Sequence, residues 1–88
     1  MSARDERRIN RLLKSIEEEA DRHLRAAERY AMRSDKAPEP YDNYFGMVAD
    51  AHRAAEGRFD SLWSEIKKRK AELEEMELMI EAQKEPRR

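Results

Sequence analysis

The sequence predicts an all-α fold, an antiparallel helical hairpin with coiled-coil-like packing, on three observations. A heptad repeat runs from Phe45 to Ile80: Phe45, His52, Phe59, Ile66, Leu73 and Ile80 hold one seam position, and Val48, Ala55, Leu62, Arg69 and Met76 hold the other. Upstream, Ile9, Leu13, Ile16, Ala20, Ala27 and Tyr30 recur at spacings of three and four, with His23 filling the vacant seam position. Between the two patterns lies one break, Ser34 to Pro40, whose prolines turn their predecessors away from helical geometry.

Taken in order, Ser2 followed by Asp5 and Glu6 reads as a helix start, since a hydroxyl accepts from an early backbone N–H and carboxylates suit the positive end of the helix dipole. Helix 1 is expected from about residue 3 to about residue 33, and the loop over about 34–41. Pro40 suits the first turn of helix 2, with Asp42 near its free N–H groups. Helix 2 is expected over about 42–84, fraying into Pro86, Arg87 and Arg88. Gly46 and Gly57 fall at outer positions of that helix and cost it about 1 kcal/mol each relative to alanine. The whole of 1–88 reads as a single domain.

Composition narrows the function classes. Of 88 residues 44% are charged, and only 2 are glycine and 3 proline, a balance suited to long solvated helices rather than sheets. With 19 basic and 20 acidic residues the net charge is -1, so attraction to nucleic acid or an anionic membrane would have to come from a local patch. The absence of cysteine excludes disulfides, thiolate metal sites and cysteine nucleophiles. Residues 1–11 are charged where a secretion signal needs an apolar run, and no stretch is apolar enough to span a bilayer, so a cytoplasmic protein is expected.

Closing the hairpin at Ala37 and Pro38 sets Tyr30 opposite Phe45, Ala27 opposite Val48, His23 opposite His52, Ala20 opposite Ala55, Ile16 opposite Phe59 and Ile9 opposite Ile66. On the flanks it sets Arg33 beside Asp42, Glu6 beside Arg69 and Leu12 beside Trp63. Helix 2 then outruns the start of helix 1, leaving Leu73, Met76, Met79 and Ile80 uncovered. Together with Trp63 these form the expected interface, because an apolar stripe wider than a two-helix seam belongs to a larger bundle. A homodimer closing into a four-helix bundle is the simplest expectation.

Candidate chemistry is confined to the middle layer. His23 and His52 face each other, and Glu19 and Glu56 lie four residues from them, so the four are a candidate metal set with helical ligand spacing. The same residues also read as a polar layer that fixes register, or as a pH-responsive pair. No phosphate loop, catalytic triad or zinc-protease spacing occurs, so neither an enzyme nor a cofactor is expected.

The functional expectation is a small protein–protein interaction module: an adaptor, an assembly element or an inhibitor of a partner protein, binding itself and a second protein. The alternative is a nucleic-acid accessory protein using a basic band at the open end of the hairpin, formed by Arg4, Arg7, Arg8, Arg11, Lys67, Lys68 and Lys70.

Overall fold

The computed structural model describes residues 1–84. It consists of two helices, α1 (Ala3–Lys36) and α2 (Tyr41–Lys84), packed side by side as an antiparallel hairpin. Ser2 starts α1 as expected: its backbone is extended, and its Oγ accepts from the Asp5 N–H at 3.1 Å, with Asp5 and Glu6 in the first turn. The expected fraying at Pro86 to Arg88 lies outside the described residues.

Helix α1 runs one turn further than its composition suggests. Ser34, Asp35 and Lys36 are turn formers in isolation, yet here they are helical, and the Ser34 hydroxyl donates to the Asp42 carbonyl at 2.7 Å. The helix stops at Ala37, whose φ of -80° and ψ of 145° are the extended geometry that a following proline enforces. The Pro38 carbonyl then accepts from Tyr41 N–H at 2.9 Å and Asp42 N–H at 3.3 Å, while the Asp42 carboxylate takes the Asn43 N–H at 2.8 Å. These bonds satisfy the first donors of α2.

The core is thin. Leu13, Ile16, Ala20, Ala26, Ala27 and Ala49 are buried, and among the described residues no charged side chain is. Leu13 and Ile16 contribute about 1.5–3 kcal/mol each by burial, and the four alanines much less. The hairpin is a rod of 79 × 17 × 11 Å with a radius of gyration of 21.0 Å, against about 12 Å for a compact chain of this length.

Helix α1 presents the seam its sequence predicts, but α2 is turned by one residue. Phe45, His52, Phe59 and Ile66 face α1 as expected. The second row that does so is Ala49, Glu56, Trp63 and Lys70, not Val48, Ala55, Leu62 and Arg69. Ala49 is 1% exposed against 38% for Val48. The side chain of Lys70 is 16% exposed against 75% for Arg69.

Packing explains the turn. Alanine at 20, 27 and 49 lets the two backbones approach closely, which Val48 in place of Ala49 would prevent. Lys70 lays its stem along the seam and sends its ammonium to Asn10 Oδ1 at 3.1 Å, Glu74 at 3.6 Å and Glu6 at 3.9 Å. The expected Glu6–Arg69 pair is therefore replaced by Glu6–Lys70, and Arg69 bonds Glu65 on its own helix at 3.0 Å.

Candidate functional site

The seam has two unlike sides. Because the helices are antiparallel, positions 9, 16, 23 and 30 of α1 fall on the same side as 45, 52, 59, 66 and 73 of α2. That side carries the large residues Ile9, Ile16, His23, Tyr30, Phe45, His52, Phe59, Ile66 and Leu73. The other side carries Leu13, Ala20, Ala27 and Ser34 against Ala49, Glu56, Trp63 and Lys70.

On the large side the rings form a ladder that alternates between helices. Phe45 stacks on Tyr30 with centroids 6.3 Å apart, Tyr30 on His52 at 5.7 Å, His52 meets His23 at 5.2 Å, and His23 stacks on Phe59 at 5.6 Å. At the central rung the two histidine Nδ1 atoms are 2.9 Å apart, so one ring donates and the other accepts. The pair can hold this bond with both rings neutral or with one charged. It cannot do so with both charged, because neither Nδ1 would then accept.

The candidate metal set does not assemble. His23 and His52 meet as expected, but Glu19 and Glu56 leave toward opposite sides of the seam, a consequence of the one-residue turn of α2. The Glu19 carboxylate is bonded to Arg22. Glu56 hydrogen-bonds the Asp60 carboxyl, and this bond, with partial desolvation and the Asp60 charge, raises its carboxyl above the ordinary value. Among the described residues no three histidine, aspartate or glutamate side chains are grouped to hold a metal ion.

The basic residues likewise do not form one band. Arg4, Arg7 and Arg11 run with Lys14 along the outer face of α1, and Arg7, Asn10, Arg11 and Lys14 line a shallow groove there. Arg8 stands beside that stripe. Lys68 lies on the outer face of α2, on the far side of the rod. Lys67 sits over the Trp63 ring at 5.2 Å, and Lys70 is held in the seam by its partners.

The expected interface residues divide. Trp63 belongs to the hairpin: it is half-buried, and its Nε1–H is buried without an acceptor. Leu73, Met76, Met79 and Ile80 are exposed. The amine of Met1 pairs with Glu77, so residues 78–84 extend past the start of α1. Leu73 also joins Ile9 and Ile66 in a shallow groove on the large side of the seam.

Sequence reasoning missed the flank that continues from these residues. Tyr41, Val48, Ala55, Leu62, Arg69 and Met76 recur every seven residues along α2 immediately beside the ladder, and all but Ala55 are more than a third exposed. The signal is in the heptad repeat, which gives Val48, Ala55, Leu62, Arg69 and Met76 a seam position; periodicity does not say that α1 covers the neighbouring row instead. On α1 the adjoining positions include Leu12, which is exposed. The result is a largely apolar flank on α2 beside the half-buried ladder, interrupted by Arg69, with Leu12 as its apolar neighbour on α1.

Compared with known proteins, the chain matches no family model, no curated protein and no solved structure. Among the described residues no helix is long and apolar enough to cross a membrane.

Proposed function

We propose that the chain is a non-enzymatic protein–protein interaction module that works as a self-associating helical hairpin. The observation that carries this reading is the exposed apolar face: Val48, Leu62, Leu73, Met76 and Ile80 lie along one side of α2, each more than a third exposed. Exposed apolar residues that are contiguous rather than scattered mark an interaction surface.

The surface area points the same way. The chain exposes 7418 Å², whereas a compact monomer of its mass exposes about 5,400 Å². The excess, about 2,000 Å² per chain, is more than the ~800 Å² per partner that a standard interface buries and leaves room for an obligate one. Function as an adaptor, assembly element or inhibitor would then reside on the charged outer faces, which self-association leaves free.

Light scattering over a concentration series tests the reading. The parent chain is expected to have at least twice its monomer mass. Replacing Leu73 and Ile80 together by lysine is expected to lower that mass while leaving helicity by circular dichroism unchanged. A parent that stays monomeric at every concentration would overturn self-association and assign the face to a different protein.

A further inference from the structure

Resting on self-association, we infer that two copies pack α2 against α2 antiparallel, with the two-fold axis near Leu62 and Arg58 of each copy meeting Glu65 of the other. The occupant of the apolar flank is thus a second copy of this chain in one defined direction.

The order of residues along the flank carries the direction. Outward of Val48, Ala55, Leu62 and Met76 runs the row Tyr44, Ala51, Arg58, Glu65, Glu72 and Met79. About an axis near Leu62, an antiparallel partner brings Tyr44 opposite Met79 and Arg58 opposite Glu65, each pair occurring twice by symmetry. Ala51 falls beside Glu72, with no clash of charge. A parallel two-fold partner would instead carry this row to the opposite side of the interface, where neither the Arg58–Glu65 nor the Tyr44–Met79 pair could form.

The apolar row agrees with this direction. Val48 falls opposite Met76 and Leu62 opposite its own symmetry mate. Ala55 falls opposite Arg69, the one charged residue in the row. A parallel pair would bury two Arg69 guanidinium groups against each other. In the antiparallel pair the small Ala55 leaves room for the arginine stem, and the head reaches back to Glu65, which it already bonds at 3.0 Å. Arg69 on its own helix and Arg58 across the interface would thus flank the Glu65 carboxylate.

The absence of native cysteine makes a direct test simple. In Leu62→Cys the two thiols lie at the axis and are expected to form a covalent dimer under mild oxidation. In Val48→Cys they would be roughly 40 Å apart at ~1.5 Å rise per residue, and in Gly57→Cys they would lie on the outer face; neither is expected to cross-link. Cross-linking of Val48→Cys as fast as Leu62→Cys would overturn the antiparallel direction.

Charge reversal supplies a second readout that keeps Leu62 in place. Arg58→Glu and Glu65→Arg are each expected to raise the dimer Kd by between about 2-fold and 30-fold, two exposed pairs being lost per dimer. The two changes in one chain re-form the Arg–Glu pairs across the interface and are expected to recover part of the affinity, Arg69 having lost its Glu65 partner. Failure of the double variant to recover, with the parent still dimeric, would overturn this arrangement and leave self-association standing. A monomeric parent would remove both.

Discussion

The central rung of the ladder gives the sharpest stability experiment. Replacing His52 by phenylalanine keeps a flat ring between Tyr30 and His23 but deletes the atom that His23 Nδ1 meets at 2.9 Å. A hydrogen bond of this kind contributes about 0.5–1.5 kcal/mol net, and stranding its half-buried partner adds to the loss. His52→Phe and His23→Phe are each expected to cost about 1 kcal/mol, which for a chain this size lowers Tm by roughly 4–8 °C. Replacing both histidines leaves no orphan and completes an all-carbocyclic stack from Phe45 to Phe59, so the double variant is expected to be near neutral. The quantity to measure is the coupling energy from urea unfolding of the four proteins, followed by circular dichroism at one fixed protein concentration and at a pH of about 8, where unperturbed imidazoles are neutral. A coupling of about 2 kcal/mol is expected. A coupling of zero, with the double variant equal to the two singles added, would refute the shared hydrogen bond.

Two further outcomes follow from the helices themselves. A β-carbon at Gly57 would meet nothing within 4 Å, so Gly57→Ala is expected to stabilise the chain by about 1 kcal/mol in thermal melts; a loss of stability would mean that something packs on that outer face. The Glu56 carboxyl is raised above the ordinary glutamate value by its bond to Asp60, with desolvation and the Asp60 charge adding to it. Its contribution is therefore present below that value and is lost as pH rises through the folded-state value. Melts from acid to neutral pH should show this decline in the parent and its absence in Glu56→Gln, and identical profiles would count against the Glu56–Asp60 bond.

How much of this was legible in the sequence differs between the helices. For α1 the apolar positions are the only ones that form a stripe, so Ile9, Leu13, Ile16, Ala20 and Ala27 could be read directly. For α2 two rows compete, one hydrophobic through Val48, Leu62 and Met76 and one mixed through Ala49, Trp63 and Lys70. Hydrophobicity ranks the first row higher, yet α1 packs on the second, because close approach between helices favours alanine and because a lysine stem serves as seam when its head has Glu6, Glu74 and Asn10 to reach. Periodicity reports which surfaces want cover; it does not report which neighbour supplies it. The same ambiguity explains why the histidines were placed correctly and the glutamates were not. His23 and His52 sit on rows common to both choices, whereas the direction of Glu56 depends on which row is chosen.

The unlike sides of the seam also bear on how far an assembly can grow. Behind the ladder, the opposite flank presents Asn10 and Glu17 from α1 and Arg53, Asp60, Lys67 and Glu74 from α2, with Leu24 and, beside Glu74, Leu78 as widely separated exposed apolar residues. A hairpin with two sticky faces would stack into an open filament, each copy offering the next a fresh surface. This one has a front and a back, so under the self-association proposed above a copy that has used its front would have no comparable surface left, and the assembly would terminate instead of polymerising.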